Sequence, residues 1–443
     1  MRAIGISSVF RLAVVLFAVL LAASALRAES GDADTIQYRV KRGDTLIELA
    51  ERYFVRPATY RQVQKMNNIA NPRRLPIGKV IDIPVDLLRA RTARLVVSGF
   101  SGPVELRNGG SMTVPEKDIP IAEGTEIITG RNGFISLSGD GGSIVTLPSN
   151  SHVRVLKTRR YLINDGLDVD FMVLDGRGGF KPHKLDPADR YRVRTPLAVT
   201  AVRGTEFRIS YSEDSGKSAT QVDEGTVELA TRAEGTAARA VPAGFAAVAT
   251  AEGLSANEAL LPAVAIADPA RVRTEEEPGF ALKPVAGAIA YRTQLATDAA
   301  FIDVIGEKLT EQPKASFQDI PNGRLYVRSR AVAESGVEGL AEAYSFRRQR
   351  LGVAAVVEQD ELSNGFRFAW RHEGEGDALF GFRLWREGAE DRPLVHERAM
   401  QDTSLVLSNL DNGTYYWTVG ALQGSDDGIV EVWGDPQKLN VSN

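Results

Sequence analysis

Four histidines, His152, His183, His372 and His396, are the scarcest carriers of acid–base or metal chemistry in this 443-residue chain. No two stand at helical ligand spacing, and neither H-x-H nor H-E-x-x-H occurs, so the paired-histidine helix face of a zinc hydrolase is missing. Cysteine is absent, which removes disulfides, thiolate zinc sites, cysteine nucleophiles and a lipidated cysteine after a leader. Gly99-Phe100-Ser101-Gly102-Pro103 misses a nucleophile elbow, because proline holds the place of the final glycine. Gly216-Lys217-Ser218 imitates the end of a phosphate loop, yet Tyr211 stands where the first glycine belongs. Asp168-Val169-Asp170 lacks the glycine and terminal glutamate of a calcium loop. Paired carboxylates for glycoside cleavage need only proximity, which a sequence does not fix. No acid sits in an obviously apolar setting, so the expectation is a chain that acts by contact: not an enzyme, with no cofactor and no metal.

The elements that would position a binding surface fall into several modules, as the length requires. In the first, residues 36–85, Tyr38-Arg39-Val40 alternates as a short strand and Gly43-Asp44-Thr45 makes a turn. Asp44 or Thr45 can cap a helix running Leu46 to Tyr53. Tyr60 to Asn67 predicts a second helix with Val63 and Met66 inward, and Lys79 to Pro84 returns as a strand. This βααβ pattern resembles the LysM peptidoglycan-binding module. The resemblance is carried by Tyr38-x-Val40, Gly43-Asp44-Thr45-Leu46, Asn67-Asn68-Ile69, Pro76-x-Gly78 and Ile81-x-Ile83-Pro84. It implies that N-acetylglucosamine lies in a shallow groove between two loops, Gly43, Asp44, Thr45 and Leu46 on one side and Asn68, Ile69, Ala70, Asn71 and Pro72 on the other. Loop amides and carbonyls suit hydroxyl and acetamido groups, and apolar side chains suit a sugar face. The bland reading of the same residues is that Asp44 and Thr45 cap and Asn68 terminates.

The module is basic, with ten Lys and Arg against four acids. A basic surface suits nucleic acid or a cell-wall polyanion, and a plain solvated face is the default. The expected export of the chain points away from nucleic acid.

From Leu95 to about Ala251, turn signals such as Arg131-Asn132-Gly133, Gly139-Asp140-Gly141-Gly142 and Asn164-Asp165-Gly166 punctuate short alternating runs. The centre of this region is Tyr191 to Ile209. Tyr191 and Val193, then Phe207 and Ile209, alternate with arginines, Pro196 stiffens a joint, and Gly204 permits a bend. Thr195-Pro196, Ala198-Val199 and Val202-Arg203-Gly204-Thr205-Glu206-Phe207 resemble the signature of the FecR-type β domain. Ile121 to Gly130, Val222 to Leu229 and Pro242 to Phe245 extend the likeness over residues 95–251. Many short strands at this spacing suit a β-sandwich, a barrel or a β-solenoid. The resemblance implies a FecR-like β-solenoid/β-sheet domain, a solenoid-like or helical stack of strands, and a relation to periplasmic signalling. The cytoplasmic and membrane-spanning segments of those signalling proteins have no counterpart here.

Residues 252–277, rich in alanine and acidic at the end, read as a linker. Two further modules, 278–349 and 354–443, share the motifs Gly323-x-Leu325-Tyr326-Val327 and Gly413-Thr414-Tyr415-Tyr416-Trp417 and resemble fibronectin type III-like β-sandwiches. All four tryptophans fall in the last of these, expected in its core with at most Trp385 or Trp433 on a binding face. That module holds 16 acids against 7 basic residues.

The start is cationic, then apolar from Leu12 to Ala25, with small residues before Ala25 and Ala28. It reads as a signal peptide, residues 1–28, and no later run is long enough to span a membrane. The expectation is therefore a multi-domain, mostly β protein of the periplasm. It would bind peptidoglycan through its first module and present the FecR-like domain to an envelope protein partner. The alternative is a periplasmic sensor in FecR-like iron or siderophore signalling.

Overall fold

The computed structural model describes residues 34–231, 237–360, 365–425 and 428–442; the expected signal peptide, 1–28, lies outside them. In the first module, Thr35–Arg39 pairs antiparallel with Val80–Pro84. Alternation buries Ile36 and Tyr38 against Ile81 and Ile83. The helix Leu46–Tyr53 buries Leu46, Leu49 and Ala50, and Thr45 caps it by accepting the Glu48 N–H at 3.1 Å.

The second helix, Tyr60–Met66, buries Val63, but Met66 does not point inward as expected; it is 41% exposed. Asn67 takes the inward place. Its side-chain amide donates to the Val63 and Asp82 carbonyls and accepts the Asp82 N–H at 2.7 Å, clamping the helix end to the return strand.

The central domain is an 18-stranded network folded into two layers. The layers share one long strand, Leu167–Lys181. Its first half pairs with Ser151–Tyr161 and, in parallel, with Arg190–Arg194. Its second half pairs with Ile144–Leu147 and Glu206–Ser212. The crossing point is Gly176, at φ 80°, where a Cβ would sit 2.2 Å from the Asn150 carbonyl oxygen. Only glycine fits both the backbone and the space.

The stretch Tyr191 to Ile209 forms the strands Arg190–Arg194, Ala198–Val202 and Glu206–Ser212. Thr195 closes the turn around Pro196 by accepting the Ala198 N–H at 3.0 Å. Between the layers lies a core with an aromatic row, in which Tyr191 meets Phe171, Phe171 meets Phe180 and Phe180 meets Phe207 at 5.5–6.0 Å.

Residues 252–277, read as a linker from composition, carry structure along much of their length. Gly253–Leu254 and Glu258–Ala259 pair with Phe245–Thr250. Further on, Ala267 N–H donates to Ala281 and Lys283 N–H to Ala265, at 2.9 and 2.8 Å. That places Val264 and Ile266 in one core with Phe280. The first sandwich then sets Gly279–Ala281 and Lys314–Ser316 against a four-stranded sheet. The second opposes three strands to five. Tyr415, near the start of the long strand Gly413–Ser425, donates its hydroxyl to the Asp411 carbonyl at 2.8 Å. This is the tyrosine corner of immunoglobulin-like sandwiches. Leu325 holds the matching place in the first sandwich.

Trp417 and Trp370 are core residues, and Trp385 is buried too. Trp433 is half-buried, lies across Gly381 and Gly420 of neighbouring strands and stacks under Arg383 at 4.5 Å.

Candidate functional site

The two loops of the first module meet through one backbone bond, from the Leu46 N–H to the Pro72 carbonyl at 2.8 Å. The nine residues divide by role. Leu46 and Ile69 are buried and form the floor. Asp44 is committed to the turn, since its carboxylate accepts the Lys41 N–H at 2.7 Å and the Tyr38 hydroxyl at 2.8 Å. Burial and this bond push the Tyr38 hydroxyl well above its ordinary pKa. Thr45 is committed to the helix cap, and Pro72 is half-buried.

Gly43, Asn68, Ala70 and Asn71 face solvent. Gly43 and Asn68 have φ of 92° and 49°, which the exposed turns require. Asn71 braces its own turn by accepting the Arg73 N–H at 2.9 Å. Among the described residues, the Ala70 amide and the Asn68 side chain have no hydrogen-bond partner. None of the nine bonds to a described residue outside the module. Lys41, Arg42, Arg73 and Arg74, next to the two loops in sequence, are exposed.

The module is tied to the central domain. Tyr161 and Ile163, from the hairpin of the central domain, complete the module's own core. Asp34 sits against Arg190 and Arg192 at 2.6 and 3.0 Å, and Arg192 reaches on to the buried Asp168 at 3.0 Å. Lys157 lies 3.6 Å from both carboxylates, and the Tyr161 hydroxyl donates to Asp168 at 2.7 Å. Burial alone would raise the Asp34 pKa, but the guanidiniums of Arg192 and Arg190 outweigh it and hold the carboxyl below its usual range. These contacts escaped the sequence reading. The Arg-x-Arg-x-Arg alternation of Arg190, Arg192 and Arg194 is their one visible signal, since it aligns three cations on one strand face.

One of the histidines belongs to a constellation that sequence does not reveal. Ser143 Oγ lies 3.0 Å from His183 Nδ1, and His183 Nε2 lies 3.8 Å from Asp189. It has the members of a hydrolytic triad without the geometry. Ser143 is buried, and its oxygen already accepts the His183 backbone N–H at 3.0 Å and donates to the Asp140 carbonyl at 2.9 Å. Asp189 accepts the N–H groups of Leu167 and Asp186. The group braces the turn Asp140–Gly142, where Gly141 (φ 67°) leaves no room for a Cβ over the imidazole. A serine so engaged has no path to a substrate carbonyl.

Comparison with known proteins divides along the same lines. Residues 38–84 match the family model described as LysM domain, and residues 125–228 match that described as FecR protein. No curated protein matches the chain. Among solved structures, a proposed anti-sigma factor from Parabacteroides distasonis ATCC 8503 is 18% identical with a TM-score of 0.26. That match covers 30% of this chain and 59% of the other, about three fifths of its length. Fibronectin(III)-like modules of Clostridium thermocellum CbhA are 9% identical with a TM-score of 0.21, over 40% of this chain and 90% of theirs. The chain thus carries a LysM domain and a FecR-type β domain, followed by two β-sandwiches.

Proposed function

We propose that the protein is an exported, non-catalytic component of the periplasmic cell envelope. Its LysM domain holds peptidoglycan, through N-acetylglucosamine, and its FecR-type domain presents a surface to an envelope protein. What supports this reading is the match of residues 38–84 to the LysM domain model, together with the two loops Gly43–Leu46 and Asn68–Pro72 that the Leu46 to Pro72 bond holds side by side. Leu46 and Ile69 are buried, and the Ala70 amide and Asn68 side chain have no hydrogen-bond partner among the described residues. One sugar-sized site yields modest affinity, so retention gains from a second contact supplied elsewhere on the chain.

Sedimentation with purified peptidoglycan sacculi tests the reading. Asn68→Gly keeps the positive φ while removing the side chain, and Ala70→Trp places a bulky ring at the proposed sugar site. The double variant is expected to lose at least tenfold in binding with an unchanged melting curve. Full retention by a folded double variant refutes the assignment.

The FecR match favours a second reading, a periplasmic sensor that hands its signal to a partner. Crosslinking in envelope extracts that yields a sigma-factor regulator or a transporter would favour it.

A further inference from the structure

Between the FecR-type domain and the first sandwich lies a cavity of about 120 Å³. Where about 10–15 Å³ admits one water, this is room for a small molecule. Five arginines line it: Arg177 and Arg208 from the central domain, Arg292, Arg328 and Arg330 from the sandwich. Three carboxylates serve them. Glu307 lies 2.5 Å from Arg177 and 3.2 Å from Arg292. Glu338 meets Arg292, Arg177 and Arg208 at 2.6, 3.3 and 3.5 Å. Asp223 meets Arg208 at 2.9 Å and Arg330 at 3.7 Å.

The fifth arginine is left over. Arg328 donates to the Gln294 side-chain oxygen at 2.9 Å and stacks over the Phe301 ring at 4.0 Å, both neutral groups. Among the described residues it has no carboxylate within ion-pairing distance. Glu206, a further acid acting on it, is already paired with Lys181 at 2.6 Å. The five arginines therefore carry two more positive charges than these three carboxylates balance. Burial, with Arg208 alongside, pulls Arg330 down to about 9 and Arg328 down to about 10, so both remain cationic at neutral pH.

Unbalanced buried charge is costly unless something compensates it. A planar guanidinium with free N–H groups, pinned on an aromatic ring, is the protein's usual receptor for carboxylate or phosphate oxygens. Phe134, Leu147 and Val304 complete the lining and suit an apolar body behind the charge.

We propose that this interdomain cavity is a binding site for one small oxyanion, a carboxylate or a phosphate, held by Arg328 and Arg330. The site lies away from the LysM loops and stands whether or not they bind glycan.

Titration calorimetry on the full chain tests it with inorganic phosphate in one arm and succinate or benzoate in the other. Both are run against chloride at matched ionic strength. The expected result is saturable one-to-one binding in at least one arm, with a rise in melting temperature. Binding in the phosphate arm alone names phosphate, and in the carboxylate arm alone names a carboxylate. Arg328→Gln should weaken binding at least tenfold. Arg328→Lys, which keeps the charge but loses the fork, should weaken it severalfold and covers the case in which the glutamine variant does not fold. No saturable binding in either arm, or equal affinity in a folded Arg328 variant, overturns the proposal.

Discussion

Glu338 is the acid on which the seam between the FecR-type domain and the first sandwich turns, and Glu338→Gln measures what the seam is worth. The residue is 8% exposed and touches three guanidiniums from two domains. Burial alone would raise its pKa, but Arg177, Arg292 and Arg208 hold the carboxyl well below the usual range. Glutamine keeps the shape and removes the charge, leaving five half-buried arginines against two carboxylates. Breaking one partner out of such a network costs about 3–5 kcal/mol. At about 2–4 °C per kcal/mol for a unit of this size, the transition should fall by about 6–20 °C.

The pH dependence supplies a second check. A carboxyl with a depressed folded pKa binds fewer protons folded than unfolded. Its contribution is therefore complete above the unfolded value of about 4.3 and is lost as pH falls toward the folded one. Calorimetric melts between about pH 3 and pH 7 should show a steep acid limb in the parent chain and a shallower one in the variant. A neutral-pH shift below about 2 °C with an unchanged acid limb would refute the assignment of the seam to this charge.

Three further outcomes follow from the packing. Tyr161→Ala empties a fully buried place in the LysM core and removes the bond to Asp168, so the module should loosen by about 3–5 kcal/mol, read as new protease cleavage between residues 84 and 95. Gly420→Ala puts a Cβ 2.7 Å from the Trp433 ring; the indole should lift off its two-glycine bed, at about 1–3 kcal/mol, with a red-shifted tryptophan emission. Arg330, held near 9 when folded, binds fewer protons folded than unfolded above that pH. The parent chain should thus gain stability relative to Arg330→Gln as pH rises beyond about 9, seen as a rise in the parent-minus-variant difference in melting temperature.

Much of the fold was legible because period and punctuation were local. Tyr191/Val193 and Phe207/Ile209 marked half-buried strands, Pro196 and Gly204 the joints, and Thr45 the helix cap. Met66 misled because its helical phase suits the core as well as Asn67 does, and only the distant Asp82 backbone decides between them. The 252–277 stretch misled because alanine-rich composition hides Val264 and Ile266, two residues that find their partners in another segment. At the candidate site, the loops themselves could be named from sequence. Which of their residues are floor, brace or rim depends on bonds such as Leu46 to Pro72 that cross the module. The arginine cavity was out of reach, since its charges come from strands more than a hundred residues apart and each looks like an ordinary solvated cation.

The two charged seams are linked by a single piece of chain. Asp168, which joins the Asp34 network under the LysM domain, and Arg177, which enters the cavity beside the sandwich, lie on the same strand Leu167–Lys181. Nine residues of extended chain separate them, about 30 Å. Gly176, the crossing between the two layers, sits immediately before Arg177. A pull on the LysM domain therefore reaches the sandwich seam through a continuous backbone, hydrogen-bonded on both flanks over residues 168–172 and on one flank from there to Arg177. Such a path transmits load because shearing it requires many ladder bonds to fail together, whereas a flexible connector would stretch first.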